Sequence, residues 1–167
     1  MAVILTIEQL KDICPAAPVE ALGALNEVLE RTRSITILRT AMVVAQLAAG
    51  SDGFTRMEED DEERRASSPY FARGWIRLTG SRSYRAAGSA LALDLVERPG
   101  LVIPHHVEVT AWFWSAHRLH VFSDLEDVHG CTRTIDWTAT RPHPLALRRE
   151  LHARALRVLA GSRKLAA

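Results

Sequence analysis

The sequence of 167 residues lacks several features that would assign a protein to a functional class at once. It has two cysteines, Cys14 and Cys131, and they match no C-x-x-C spacing of a metal or redox site. No apolar run approaches the roughly 20 residues that a membrane helix needs. With 21 basic and 20 acidic residues the net charge is +1, so the composition predicts no nucleic-acid partner. We predict two buried thiols in preference to a disulfide.

The amino-terminal segment also lacks the marks of a secretory signal. "MAVILTIEQLKDI" contains only a short apolar run, without a basic region before it or a small-residue cleavage site after it. We therefore expect the chain to be cytoplasmic as it is made. Release by lysis, or export by a route other than Sec, stays open.

Sustained alternation of apolar and polar residues is absent, whereas helical spacing runs through nearly the whole sequence. At 47% hydrophobic residues, a chain of this length can bury a core. We therefore predict one all-α domain spanning residues 1–167. The predicted helices are 7–13, one that starts near 19, one that starts after Ser34 or Thr36 and ends at Gly50, and 84–93, 104–117, 125–135 and 145–159.

Two segments of the sequence are unusual in composition, one apolar and one highly charged. "LRTAMVVAQLAA", residues 38–49, is so apolar that it should form the central helix, and we interpret Gly50 as a left-handed glycine that ends it. "EEDDEERR", residues 58–65, has six acids followed by two arginines, a composition that predicts a solvated loop. In the last helix, Leu147, Leu151, Ala155 and Val158 are predicted to share a buried face.

Histidines occur in two short groups that invite a metal-site interpretation. His105 and His106 precede Glu108, and His117 and His120 are three residues apart. No further cysteine or histidine completes a recognisable ligand spacing. We interpret these histidines as surface residues and predict neither a metal nor a cofactor.

Two longer segments carry a resemblance to a known family. Residues 40–54, "TAMVVAQLAAGSDGF", resemble A-x-x-[LV]-A-Q-[IV]-A-H-E-S-G-G-F, and residues 70–95, "YFARGWIRLTGSRSYRAAGSALALDL", resemble Y-x-G-R-G-x-I-Q-L-T-G-x-x-N-Y-x-x-A-G-x-A-L-G-L-D-L. These are motifs of the family 19 glycoside hydrolases, which include chitinases and phage-type endolysins. The resemblance implies a lysozyme-like helical fold and a cleft for β-1,4-linked N-acetylglucosamine glycans, either peptidoglycan or chitin. The endolysin-like size favours peptidoglycan.

The resemblance also identifies the catalytic positions, and the general acid is missing from them. The H-E pair of the family, whose glutamic acid protonates the leaving oxygen, corresponds to Ala49 and Gly50. The second carboxylate, which activates water in this inverting chemistry, corresponds to Glu59, with Glu58 as the neighbouring register. Thr79 corresponds to the hydroxyl residue that helps to hold that water. Asp52 is the candidate substitute acid.

The same comparison implies a set of sugar-binding positions, several of which have changed. Arg77 replaces a glutamine, and Ser83 and Asp136 replace asparagines, whereas the arginine and the tyrosine of the second motif are kept. Trp75 and Trp137 are candidates for stacking on a sugar ring, since an aromatic face suits the apolar face of a pyranose. The full set of predicted substrate-binding residues is Arg73, Trp75, Arg77, Ser83, Tyr84, Asp136 and Trp137.

The sequence therefore predicts a family 19 scaffold that recognises a glycan without cleaving it efficiently. Loss of general acid catalysis alone typically lowers a rate by about 10²- to 10⁴-fold. Two alternatives stay open. One is a weakly active inverting glycosidase that uses Asp52 or Glu59 for cell-wall lysis. The other is a protein-binding role on an inactive scaffold, as an inhibitor, an immunity-type partner or a component of a phage-like particle, with residues 58–63 steering a basic partner.

Overall fold

The computed structural model describes residues 4–136 and 145–165, and side chains as far as Gly161. All regular elements in these ranges are helical, which confirms the predicted all-α class. The α-helices are α1 (Ile7–Ile13), α2 (Ala21–Arg31), α3 (Ile37–Gly50), α4 (Glu62–Ser67), α5 (Ser81–Leu91), α6 (His106–Ala116), α7 (His120–Asp124), α8 (Val128–Ile135) and α9 (Leu145–Leu165), with a 3-10 helix at Pro99–Val102.

Helix α3 lies at the centre of the fold, as its apolar composition predicts. It begins at the cap Thr36, whose side chain accepts a hydrogen bond from the Arg39 backbone N–H, and every residue from Thr40 to Gly50 is buried. Helix α9 packs along α3, while α2 and α7 contact it elsewhere. A helix buried on all sides is mostly apolar all round, and in the buried part of this one Thr40 and Gln46 are the polar exceptions.

Short helices that the periodicity did not predict account for most differences from the sequence analysis. The acidic segment is only partly a loop, because Asp61 accepts hydrogen bonds from the backbone N–H groups of Glu63 and Arg64 and so caps α4. Helix α7 was also missed, and α6 and α8 begin later than predicted. Both α4 and α7 are too short to display a hydrophobic period, and only α4 has a side-chain cap at its start.

The buried face of α9 is also shifted from the predicted one. Leu151, Ala155 and Leu159 are buried, whereas Leu147 is exposed. Leu147 borders a cavity instead of the core. No helix in the part of the chain that the structure describes is long and apolar enough to cross a membrane.

Both cysteines are free thiols and both are buried, in agreement with the sequence analysis. Burial raises the pKa of the Cys131 thiol to about 12 and raises the pKa of the Cys14 thiol as well. The fold is therefore held by packing and by hydrogen bonds, without a covalent link between these two residues.

Arg73 fixes the turn that follows α4. Its backbone forms isolated antiparallel bridges with Glu58 and with Leu78. Its guanidinium donates hydrogen bonds to the Pro69 carbonyl at 2.8 Å and to the Tyr84 hydroxyl at 3.0 Å, and Tyr84 in turn donates to the Phe71 carbonyl at 2.6 Å. Since Tyr84 is on α5, this cluster attaches the turn to the helix behind it.

Two glycines on helices provide a matched test of this packing. A β-carbon at Gly88 would lie 2.6 Å from the Leu93 carbonyl oxygen, whereas nothing lies within 4 Å of one at Gly23. We expect Gly88→Ala to lower the free energy of unfolding by about 1–3 kcal/mol. Gly23→Ala should raise it by about 0.5–1 kcal/mol, because alanine is the better helix former. Urea unfolding measures both, and equal effects of the two changes would contradict the packing of α5.

Tyr84 provides a test in alkaline solution. Burial raises the pKa of its phenol to about 12, whereas an unfolded tyrosine ionises near pH 10. The folded chain therefore holds this proton more tightly, so the stabilisation is fully present below about pH 10 and is lost as the pH rises through about 12. We expect the difference in unfolding free energy between wild type and Tyr84→Phe to fall by about 1.4 kcal/mol per pH unit in that window. Urea unfolding at about pH 8, 10 and 11 measures it, and parallel curves would contradict the burial of this phenol.

Candidate functional site

The carboxyl end of α3 is where the resemblance places the missing acid. Gly50 is the last residue of the helix and has a helical backbone, so the prediction of a left-handed Gly50 is wrong. The left-handed residues come just after it, at Asp52, Gly53 and Phe54. The buried Ser51 holds this turn, because its hydroxyl donates to the Leu47 carbonyl at 2.6 Å and accepts from the Phe54 N–H at 2.9 Å.

The space beside Gly50 is bounded by the turn that Arg73 fixes. A β-carbon at Gly50 would lie 3.1 Å from the Trp75 carbonyl oxygen and 3.5 Å from Cγ of Arg77. A side chain at this position would therefore meet backbone on one side and the stem of Arg77 on the other. The helix end contributes no ionisable group here, because glycine has none.

Glu59 is buried, with 7% of its surface exposed, so the prediction of a solvated loop is wrong at this residue. One carboxylate oxygen accepts from the backbone N–H groups of Asp60, at 3.1 Å, and Asp61, at 3.4 Å. The other accepts from Arg77 Nη2 at 3.1 Å and from Arg64 Nη1 at 3.4 Å. Two arginines and two amides therefore surround the candidate base, as buried carboxylates require.

The neighbouring acids of the same segment are also paired within the chain. Glu58 forms ion pairs with Arg73 at 3.2 Å and Arg65 at 3.9 Å. Asp60 pairs with Arg56 at 2.6 Å, and Asp61 with Arg64 at 3.6 Å. The pKa of the Asp60 carboxyl is lowered, first by a backbone hydrogen bond and then by its neighbours, among them the Arg56 and Arg77 guanidinium groups. The segment therefore presents much less free negative charge than its composition suggests.

Asp52, the candidate substitute acid, is an exposed side chain. It is 72% exposed and lies 3.5 Å from Arg56. A carboxyl that serves as a general acid near neutral pH is normally kept protonated by apolar surroundings. Asp52 has solvent and an arginine around it instead.

A cavity of about 380 Å³ adjoins the end of α3. Its lining includes Gly50, Asp52, Arg56, Arg77, Cys14 and Leu147. Its volume is within the usual range of small-ligand sites, about 300–1,000 Å³. The structure thus brings Gly50, Asp52 and Arg77 to one cavity, and the ion pair of Arg77 connects that cavity to Glu59.

Thr79 and Ser83 lie close to this turn along the chain. The Thr79 hydroxyl donates to the Arg77 carbonyl at 2.7 Å, so its proton is engaged while its oxygen keeps a free lone pair. Ser83 is half-buried in the first turn of α5. Their predicted roles in holding water and sugar stay predictions.

The aromatic candidates differ from the expected arrangement. Trp75 is only 4% exposed, and its ring packs edge-on against Phe54, with centroids 5.0 Å apart, and against His106 at 4.5 Å. Tyr84 is fully buried. Neither ring therefore presents a face for a sugar in this structure, because each is part of the core. Trp137 lies outside the described residues.

Asp136 is part of an internal network in place of an open sugar site. Its carboxylate pairs with Arg148 at 3.1 Å, with Arg148 fully buried. Arg148 also donates to the side-chain oxygen of Gln46 on α3, and Gln46 donates to the Thr132 hydroxyl at 3.1 Å. Sequence reasoning missed this network, although an arginine in the apolar stripe of α9 is the signal that could have pointed to it.

The histidines form no metal site in the structure as far as it is described. Groups of three or more potential ligands do not occur among those residues. His106 lies against Trp75, where burial lowers the pKa of its imidazole. The prediction that His106 is a surface residue is therefore wrong for this histidine, because its ring packs against the core.

Comparison with known proteins shows what the sequence and the fold are similar to. No family model matches the sequence. The chain is 44% identical over 59 residues to chitinase 8 of Oryza sativa subsp. japonica, which is 34% of this chain and 23% of the relative. It is 32% identical over 90 residues to an endochitinase of Avena sativa, which is 50% of this chain and 45% of the relative. The chain thus spans less than half the length of these curated relatives.

Solved structures show the same fold. Chitinase C from Streptomyces griseus HUT6037 superimposes with a TM-score of 0.75 and 18% identity over 96% of this chain and 78% of that one. A bacterial family 19 chitinase gives a TM-score of 0.58 and 16% identity over 93% and 95% of the two chains. This chain therefore has the all-helical fold of these family 19 chitinase structures, and its matched segments are similar to segments of plant chitinases.

Proposed function

We propose that this chain binds β-1,4-linked N-acetylglucosamine glycans of the chitin or peptidoglycan type and does not hydrolyse them. The observation that carries the proposal is the end of α3. Gly50 supplies no proton donor there, and the nearest part of another side chain to a β-carbon at Gly50 is the stem of Arg77. The chitinase fold and the chitinase-like segments support a glycan ligand, and the cavity beside Gly50 offers space for part of it.

Arginine pairing of Glu59 supports the loss of hydrolysis independently. An inverting glycosidase needs a carboxylate that is free to take a proton from water, and a second carboxyl about 6.5–9.5 Å away. Glu59 accepts from four donors, which leaves its oxygens little capacity for a water molecule. Removal of the general acid alone lowers the rate of hydrolysis by about 10²- to 10⁴-fold.

The two alternatives are less well supported. A weak glycosidase would use Asp52 as its acid, but that side chain is solvated and lies beside Arg56. A protein-binding role through the acidic segment would need free charge for steering. Four of the six acids, Glu58, Glu59, Asp60 and Asp61, are instead paired with arginines of the same chain, which leaves the exposed Glu62 and Glu63 for such a role.

The direct test combines binding with turnover. We expect the purified protein to sediment with insoluble chitin or with peptidoglycan, and to release no reducing sugar from either above background. The comparison of the two polymers identifies the preferred glycan. Turnover that disappears in Asp52→Asn or in Glu59→Gln would establish the weak glycosidase instead. Absence of sedimentation with both polymers would reject the glycan-binding proposal.

Restoration of the acid provides a second test. Ala49→His combined with Gly50→Glu recreates the family pair, but we expect no detectable hydrolysis. The new β-carbon at residue 50 meets the Trp75 carbonyl and Arg77, and a displacement of about 1 Å can cost about 10²-fold in rate. Reducing-sugar release measures the outcome, with Ala49→His alone as the control. Strong recovery in the double variant would show that the catalytic arrangement is otherwise intact.

A further inference from the structure

We propose that the Arg77 side chain is an intramolecular block, held by Glu59, that closes the space between Gly50 and Glu59 to a glycan. The inference rests on the glycan binding proposed above and concerns how that binding is limited. Arg77 would then set the affinity of the site by competing with the ligand, not by contacting it.

The geometry of Arg77 fits this role at both ends of the side chain. Its stem lies beside Gly50, with Cγ 3.5 Å from the position of a β-carbon there. Its guanidinium donates to the Glu59 carboxylate at 3.1 Å and to the Glu58 carbonyl at 3.1 Å. Because the stem covers the helix end and the head is fixed beyond it, the side chain spans the space between Gly50 and Glu59.

The backbone of Arg77 is also held in place. Its φ angle is +59°, in the left-handed region that arginine rarely adopts. The Arg77 N–H donates to the Gly74 carbonyl at 3.1 Å, and the Arg77 carbonyl accepts from the Thr79 hydroxyl at 2.7 Å. Such a conformation persists only where the surrounding structure determines it. The backbone of the turn thus directs the Arg77 side chain toward the Glu59 carboxylate.

The ion pair is sheltered from water, which makes the block effective. The side chains of Arg77 and Glu59 are 10% and 8% exposed, so dissolved salt screens their attraction much less than it screens a surface pair. A sugar that fills the space between Gly50 and Glu59 must displace the Arg77 side chain and open the pair. The ligand therefore binds more weakly than it would to an open site.

Arg64 offers a matched control for the charge of Arg77. Arg64 is on helix α4, and it donates to the same Glu59 oxygen over a distance of 3.4 Å. It does not line the cavity beside Gly50. Arg64→Gln therefore removes one cation from Glu59 and leaves Gly50 covered. Arg77→Gln removes one cation and shortens the side chain, which keeps its Cγ but no longer spans the space between Gly50 and Glu59. In that variant Glu59 keeps Arg64 and the two backbone donors, so its carboxylate stays satisfied.

The experiment is a calorimetric titration of wild type, Arg77→Gln and Arg64→Gln with the β-1,4-linked N-acetylglucosamine tetramer, after circular dichroism has established folding. We expect Arg77→Gln to lower the dissociation constant by about tenfold or more, and Arg64→Gln to change it by less than about twofold. If Arg77→Gln does not fold, Arg77→Gly removes the same side chain at a φ of +59° that glycine adopts freely, and it must also tighten binding.

The outcomes separate this inference from the proposed function. Wild-type binding that Arg77→Gln leaves unchanged would overturn the block and leave glycan binding standing. Weaker binding by Arg77→Gln would overturn it too, since Arg77 would then contact the sugar. Equal tightening by both variants would assign the effect to the charge around Glu59. Binding by none of the three proteins would reject glycan recognition, and the block with it.

Discussion

Burial of α3 on all sides is the constraint from which the rest of the structure follows. From Thr40 to Gly50 the helix has no solvent-facing side, so each of its polar groups needs a partner inside the protein. Gln46 finds partners in Thr132 and Arg148, and the buried charge of Arg148 in turn requires Asp136. One polar residue on the central helix thus ties together α3, α8 and α9.

Arginine–carboxylate pairing dominates the other end of this helix. At its end α3 has no ionisable side chain, and the carboxylate that faces it across the turn is satisfied by Arg77 and Arg64. A buried carboxylate without such partners would be costly, so the burial of Glu59 and the presence of these arginines are physically consistent. The charged groups at this site are buried and paired with one another, as in a protein core, and are not free to react.

Much of the fold was predictable from local pattern. The bounds of α1, the central position of α3 and the two buried thiols follow from spacing and composition within short segments, which also narrowed the cap of α3 to Ser34 or Thr36. The misses have a common cause. Helices α4 and α7 are too short to show a period, and the burial of Glu59 depends on Arg77, which lies 18 residues further along the chain. Sequence composition alone made that segment look solvated.

The sequence by itself determined the helical class, the central helix and the absence of an acid at Gly50, because these depend on residue identity and on neighbours within a few turns. Only the tertiary structure decided what each candidate site residue does. Trp75 and Tyr84 are core residues, Asp136 serves an internal ion pair, and Arg77 reaches from its turn to Glu59. The physical reason is that a charged or aromatic side chain is defined by its partners in space, and those partners come from segments whose approach no local pattern encodes.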